Sequence, residues 1–476
     1  MRSIGLLFQS LLVAQVCLTR AAPADNTTSS NSTSKLYALS SDTEFDFQLQ
    51  AVIGLANGGG SNTGEVLRAA SQIVPGDEES FYAAFKYLAD AIHEQAMSAA
   101  AGGFNISARD AYFRASAYYR AADFFLHHNR SDPRLDMLWD AQLADFAAAI
   151  RLLPVPGEKI AVAAVAPNNS ARYDIPVYFY PAVAAGGTKA LGRLPTVLVG
   201  TGFDGAQEDL YHQICARVAE RGYNCATYEG PGQPTVVHQQ RWLGFTPQWE
   251  RVVDPVADAL LARGDVDPAR LALVGVSFGG QLAPLALART PRKGRFAAAL
   301  LVDGIYSLFD SIFAQLPSVM QTELASGNAS AFDAVTAYVF ANNLGGTSFD
   351  WAFDQGLWAF NTSSYADWLG QLRQFDVSRA VLQSAQLTGT GSGVVPVFVG
   401  AGQSDTQAPG QAAVVWQMLT NGTGATNPQS QYHLFTDALG AGLHCQLGAD
   451  AQLAQATMGW LAGVFGAVSK HTGTDA

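Results

Sequence analysis

The sequence predicts an α/β fold built on a mostly parallel, doubly wound sheet. Three observations carry that expectation: continuous apolar runs of strand length, helical stretches between them, and one serine set among glycines where a run ends. Continuous apolar runs suit parallel strands because crossover helices cover both faces of such a sheet. The runs are Leu194–Val199, Cys225–Tyr228, Leu271–Val274, Ala297–Val302, Val394–Val399 and Tyr432–Phe435. Stretches such as Gln207–Arg221, Trp249–Arg263 and Gln281–Ala288 separate most of them. Strands alternating with helices imply right-handed crossovers and a sheet covered on both sides.

The remaining elements follow in chain order. Arg2 precedes an apolar run from Ile4 to Val16, and small residues stand around Ala21, which reads as a signal peptide over 1–21. A polar tail rich in Asn, Ser and Thr fills 22–41. Residues 42–153 read as a helical cap domain. Within it Ser107-Ala108-Arg109-Asp110 resembles a capping-box start. Tyr112, Ala115, Tyr119, Ala122 and Leu126 then fall on one helical stripe, as core packing requires. Lys159–Ala166 and Ile175–Tyr180, split by a polar Asn168–Arg172 turn, predict an antiparallel hairpin. The α/β unit then occupies 154–306 and 383–468. The stretch 307–382 is too long for a simple crossover, and its aromatic content predicts a helical insertion after the sixth strand.

Composition narrows the function classes. Of 476 residues 49% are hydrophobic and only 14% are charged, so a large core is available. The formal charge of -12 argues against nucleic acid or an anionic membrane as partner, since both call for clustered Lys and Arg. No run after the first reaches the ~18 apolar residues of a membrane span, so the mature chain is expected off the membrane. Asn26, Asn31, Asn105, Asn129, Asn168, Asn328, Asn361 and Asn421 each open an Asn-X-Ser/Thr sequon, in keeping with a secretory route. Cys17 belongs to the signal segment; Cys215 and Cys225 can pair in an oxidising lumen, and Cys445 reads as a small packed residue. No Cys/His spacing resembles a zinc site, so neither metal nor cofactor is expected. A small-molecule substrate is the expected partner, and a homodimer is compatible with the sequence.

The chemistry centres on Leu271-Ala-Leu-Val-Gly-Val-Ser-Phe-Gly-Gly280, an apolar strand running into Gly275-Val276-Ser277-Phe278-Gly279 and then a helix. This is G-x-S-x-G in the strand–turn–helix context of an α/β-hydrolase nucleophile elbow. A serine needs a neighbouring base to be nucleophilic. In that fold the base follows the last strand, which selects His444 after Gly440-Ala441-Gly442-Leu443 from the eight histidines. His433 lies inside the strand and reads as structural. The orienting acid is expected after Val394–Val399, where Asp405 stands; Asp303, after the preceding strand, is its rival. The order Ser277, Asp405, His444 is the order this fold uses. Oxyanion donors are expected from the backbone N–H of Phe278 and of Phe203, with Gly202 second. Asp204 on the same loop is either an exposed turn residue or a carboxylate with a specific role.

Several further segments point to one group. Tyr228-Glu-Gly-Pro-Gly-Gln233, Trp249 with Val253-Asp254-Pro255, Val274–Gly280, Leu301-Val-Asp-Gly304 and His444-Cys445-Gln446 resemble the 2,6-dihydropseudooxynicotine hydrolases and the fungal hydrolases of polyketide-pigment and fusarin-type pathways. The Ser107–Leu126 helix is similar to their cap. The resemblance spans about Asp42 to Phe465 and departs at Pro234, where the family usually has Gly. It implies a helical cap over the catalytic unit and, often, cleavage of a carbon–carbon bond beside a ketone. It also implies a catalytic part for Asp204, which matches an acidic residue on the oxyanion loop of the nicotine-degrading members. The expected function is therefore a serine hydrolase acting on a ketone or ester of a polyketide-like secondary metabolite. A secreted carboxylesterase or lactonase, and a catalytically silent binding protein of the same fold, are the alternatives.

Overall fold

The computed structural model describes residues 37–166, 171–241, 243–388, 394–420 and 427–471. The expected signal peptide, most of the polar tail, and Asn26, Asn31, Asn168 and Asn421 lie outside the described residues.

One eight-stranded sheet organises the chain, in the order β1-β2-β4-β3-β5-β6-β7-β8. Its strands are β1 Glu158–Val165, β2 Arg172–Tyr180, β3 Leu194–Gly200, β4 Asn224–Tyr228, β5 Val266–Val276, β6 Ala298–Val302, β7 Val397–Gly402 and β8 Gln431–Phe435. β1 and β2 form the expected antiparallel pair, in register from Glu158↔Phe179 to Val165↔Arg172. β2 meets β4 antiparallel as well, and every later pairing is parallel. β7 starts at Val397 rather than Val394. Pro396, just before it, has no N–H to give to a ladder. β5 begins at Val266, earlier than its apolar run, because Val266 pairs with Leu194 ahead of an irregularity in the register.

Alternation along the parallel strands feeds two cores. Leu198, Leu271, Leu273, Leu301 and Val399 point to one face and pack with Val252, Val256 and Leu285. Val197, Val199, Val274, Leu300 and Phe398 point to the other, where the C-terminal helix Asp450–His471 brings Leu453 and Leu461. A disulfide between Cys215 and Cys225 ties the helical segment after β3 to β4.

The cap consists of helices Thr43–Gly54, Thr63–Ala70, Glu78–Ala101, Asn105–Asp123 and Pro133–Arg151. Asp42, Asp77 and Asp132 cap three of them with side-chain oxygens. The Asn105–Asp123 helix does not start at the capping box. Its first turn begins three residues earlier, where Ala108 N–H donates to Phe104 O, and Phe104 offers no side-chain cap. The physical reason lies upstream: Gly103 at φ 76 ends the preceding helix and returns the chain into a new turn at once. Ala115, Tyr119, Ala122 and Leu126 of the expected stripe join Phe45, Phe81, Phe85 and Tyr118 in the cap's own core.

Between β6 and β7 stand helices Leu308–Gln315, Ser318–Ala325, Ala329–Ala341, Thr347–Ala359, Tyr365–Leu372 and Val377–Gln383. This insertion has no separate core. Phe332, Phe353, Trp368 and Phe375 belong to the same cluster as the sheet residues Leu198 and Leu273. Among the described residues no helix is long and apolar enough to cross a membrane.

Candidate active site

β5 delivers Ser277 at its C-terminal end, and helix Gly279–Arg289 begins two residues later. Ser277 sits at φ 58, a left-handed conformation that costs a side-chain-bearing residue free energy and persists only when its surroundings enforce it. The flanking glycines make that turn possible. A Cβ on Gly279 would lie 2.7 Å from Thr201 O, and one on Gly202 would lie 2.8 Å from Ser277 Cβ.

His444 reaches Ser277 across the sheet top. Its Nε2 is 2.8 Å from Ser277 Oγ. Behind the ring, Nδ1 lies 2.9 Å from Asp405 Oδ2 and 3.5 Å from Asp303 Oδ2. Both contacts are ion pairs in distance, but neither has the N–H alignment of a full hydrogen bond. The two carboxylates are otherwise different. Asp405 Oδ1 accepts from Gln407 N–H and Ala408 N–H, which leaves Oδ2 to face the imidazole. Burial works against its charge, but His444 and those amides outweigh it and hold the Asp405 carboxyl below its ordinary range. Asp303 is held by Gly402 N–H and Gln446 Nε2 at Oδ1 and by Cys445 N–H at Oδ2, and burial pushes its pKa up. Asp405 is thus the nearer and the more readily ionised of the pair.

Burial also opposes charge on His444, yet its pKa is held well above the ordinary histidine value, with Cys445 and Asp405 as the raising neighbours. Burial pushes the Cys445 thiol up to about 11, so it is uncharged near neutral pH. The Asp405 carboxylate is therefore the cause that matters. Cys445 is more than packing: it sits at φ 54 and lines the pocket beside Ser277.

The loop after β3 completes the site. Among the described residues neither Phe203 N–H nor Phe278 N–H is engaged by another group, so both amides remain free to donate. The carbonyls of the same loop are all taken. Gln233 Nε2 donates to Thr201 O at 2.7 Å and to Gly202 O at 3.1 Å. Gln355 Nε2 donates to Phe203 O at 3.2 Å, and Arg120 Nη2 to Asp204 O at 2.7 Å. A peptide unit whose carbonyl is fixed on one side has its N–H fixed on the other, which is what a preorganised oxyanion site requires. Gln233, Gln355 and Arg120 carry no motif of their own role, although Gln233 and Arg120 lie in segments the sequence singles out.

Asp204 shares a cavity of about 110 Å³ with Ser277, His444 and the cap residues Phe47, Gln48 and Arg120. It is half-buried rather than an exposed turn residue. Burial raises its pKa, with Arg120 and His444 opposing. Asp209, whose Oδ2 lies 4.0 Å from Arg120 Nε, is pushed up by burial to about 6. His433 lies in β8 between Phe398 and Phe435, away from this cavity. Asn105, Asn129, Asn328 and Asn361 are exposed.

The chain is similar in sequence to several fungal hydrolases along most of its length. Hydrolase acrC of Aspergillus aculeatus is 30% identical over 88% of this chain and 95% of its own length. The alpha/beta hydrolase psoB of Aspergillus fumigatus is 30% identical over 89% of the chain and 93% of its length. This chain belongs to their family of α/β-hydrolases. The 20-hydroxy-prefusarin hydrolase FUS2 of Gibberella moniliformis is a further relative, 30% identical over 71% of this α/β-hydrolase and 78% of its own length. The prolyl oligopeptidase family model matches residues 253–352, which include the elbow. Among solved structures, the 2,6-dihydroxy-pseudo-oxynicotine hydrolase aligns over 86% of this chain and 95% of its own, at 17% identity and a TM-score of 0.62. At that identity the likeness concerns fold, and it covers cap and sheet together.

Proposed function

We propose that this α/β-hydrolase is a serine hydrolase using Ser277, His444 and Asp405, and that it cleaves a carbon–carbon bond beside a ketone, or an ester, in a polyketide-like secondary metabolite. The observation that carries this reading is the 2.8 Å approach of His444 Nε2 to Ser277 Oγ, with Asp405 Oδ2 2.9 Å behind Nδ1. Ser277 Oγ adds to the substrate carbonyl carbon as its proton passes to His444 Nε2. The resulting oxyanion is received by the N–H groups of Phe203 and Phe278. Collapse breaks the bond to the leaving carbon, whose electron pair spreads into an enolate, and the proton from His444 completes the ketone. Water, deprotonated by His444, then releases the acid from acyl-Ser277. Burial favours a protonated Asp204, which can donate to the enolate oxygen as it forms. Relatives named as hydrolases, one of 20-hydroxy-prefusarin, support the substrate class.

A fluorophosphonate probe on the purified protein tests the nucleophile: Ser277 should be labelled and Ser277→Ala should be folded and silent. Unlabelled Ser277 in the unaltered protein would overturn the reading. Product analysis on β-diketones and esters then separates the chemistries, an acid plus a ketone against an acid plus an alcohol. Asp204→Asn should abolish ketone cleavage and spare p-nitrophenyl esters; equal loss of both sinks the role given to Asp204.

The same protein is proposed to pass through the secretory route. The Cys215–Cys225 disulfide and the exposed Asn105, Asn129, Asn328 and Asn361 support this. Expression in a fungal host should give a secreted product that shifts on endoglycosidase treatment, and an unglycosylated intracellular product counts against it.

A further inference from the structure

Where cap, sheet unit and insertion meet, three metal-ligating side chains converge. Asp123 ends helix Asn105–Asp123, His127 follows in the next turn, and His238 lies on helix Pro234–Gln239. One ligand atom from each lies within 4.8 Å of the others. His127 Nε2 is 3.1 Å and His238 Nε2 is 3.9 Å from the same oxygen, Asp123 Oδ2. The three side chains are 9%, 4% and 1% exposed for His127, His238 and Asp123 respectively.

The far side of each ring decides what faces Asp123. His127 Nδ1 is 2.6 Å from Gln355 Oε1, and the amide nitrogen of Gln355 is spent on Phe203 O, so Nδ1–H must be the donor. His238 Nδ1 has Asp136 Oδ1 at 3.6 Å, a carboxylate on its side but too far for a hydrogen bond. His127 Nε2 lies within hydrogen-bonding distance of Asp123 Oδ2, at 3.1 Å; with both imidazoles neutral and protonated at Nδ1, each presents an Nε2 lone pair toward that carboxylate. Two lone pairs and an anion directed at one buried point repel unless something positive lies between them. Among the described residues both ring nitrogens of His238 and Oδ1 of Asp123 lack hydrogen-bond partners, in a protein interior where such groups are seldom left unmade. Trp139 stacks on His238 at 4.5 Å and Trp358 on His127 at 5.3 Å, so neither ring is free to turn away.

We propose that Asp123, His127 and His238 form a binding site for a divalent transition-metal ion. Two imidazoles and one carboxylate suit zinc, with water as a fourth ligand. The Gln355 amide oxygen behind His127 Nδ1 is the kind of outer contact that orients a ligating histidine, and Asp136 stands 3.6 Å from Nδ1 of His238. The charge sum is workable, since Asp123 and the neighbouring Asp136 offset the two positive charges of the ion. Arg120 acts on Asp123 from nearby and Arg241 already pairs with Asp136, so the site must hold its ion against both. The rival occupant is a proton, which would make His127 an imidazolium on Asp123 and leave His238 unserved. Sequence spacing could not reveal the set, because the third ligand lies on a segment remote from the first two.

Zinc content and zinc titration of the full-length protein against a chromophoric chelator test the site. The expected result is about one zinc per chain, a melting temperature that rises with zinc and falls with chelator, and binding weakened on the order of 100-fold or more in His238→Gln. His93→Gln, at the separate His93–Asp145 pair, should bind as the unaltered protein does. Substoichiometric zinc with no thermal response to added metal would overturn the proposal in favour of the proton. Undiminished binding in His238→Gln would overturn it too, by placing the zinc elsewhere. Should that variant not fold, zinc-edge absorption of the unaltered protein decides: a shell with two imidazoles supports the site, and one without imidazole rejects it.

Discussion

The cap lines the cavity at Ser277 while the insertion packs behind it on Phe278, and the two are built on opposite terms. The cap gathers its apolar side chains into one cluster around Phe45, Phe81, Phe85 and Tyr118, and it brings Arg120 and Gln48 as well as Phe47 and Phe124 to the cavity at Ser277. Arg120 holds Asp204 O, and Gln142 Nε2 donates to the buried Glu208 Oε2. The insertion has no core of its own. Phe375 packs at 5.2 Å on Phe278, the residue after the nucleophile, and Trp368 lies in the same cluster as the sheet. A region with its own core can change its contacts without unfolding, whereas one that shares a core cannot move without opening it. The cap is thus the part able to vary substrate contacts, and the insertion the part that makes the elbow rigid.

The largest expected effect lies outside both regions and calibrates them. Asp405→Asn should lower kcat on the order of 10⁴ with little loss of stability, by analogy with other triads, and Asp303→Asn should lower it far less. Because the Asp405 carboxylate raises the His444 pKa, the rising limb of the pH–rate profile should lie above the ordinary histidine range, since the base must be neutral to act. In Asp405→Asn that limb should move to lower pH. Next comes the shared core: Trp368→Ala should cost about 3–5 kcal/mol and shift the whole calorimetric transition. Phe85→Ala should instead separate an early cap transition from the rest. If both variants melt in a single shifted step, the contrast between the regions fails. Arg120→Met is the polar counterpart, removing a charged hydrogen bond of about 1.5–3 kcal/mol from the oxyanion loop. Turnover should fall about 10- to 100-fold while the insertion core melts unchanged.

The smallest effect concerns the cap–sheet contact at Glu208. Burial holds its pKa well above the ordinary value, as it does for Glu229 nearby, raised to about 7. A folded state that keeps the proton longer than the unfolded one is favoured at low pH, below the unfolded pKa. That contribution is lost as pH rises toward the folded pKa. Glu208→Gln mimics the protonated form, so thermal stability should decline less between acidic and neutral pH. An unchanged decline would assign it to other groups.

Ser277 was legible because its chemistry demands a local signature: strand, glycines and helix are contiguous in the chain. His444 and Asp405 were legible through chain order, since the parallel sheet fixes which loops reach the elbow. Chain order favours Asp405 over its rival Asp303, but what occupies Asp303 is invisible in the sequence, because the amides of Gly402 and Cys445 that bind it come from distant loops. Arg120, Gln233 and Gln355 could not be assigned at all. Their work is done on backbone carbonyls, which every residue possesses, so no pattern of side chains announces it. The start of the Asn105–Asp123 helix was misjudged for the converse reason: a local capping pattern at Ser107 was outweighed by a glycine turn just before it.

The oxyanion loop has one consequence for anyone who would recombine this enzyme. Its four successive carbonyls from Thr201 to Asp204 are answered by side chains from three separate stretches of chain. A chimera that exchanges the cap for that of a relative therefore inherits an active loop only if the donor brings a guanidinium to the place of Arg120. Transplanting the loop alone transfers its sequence but not its shape, because the shape is stored elsewhere.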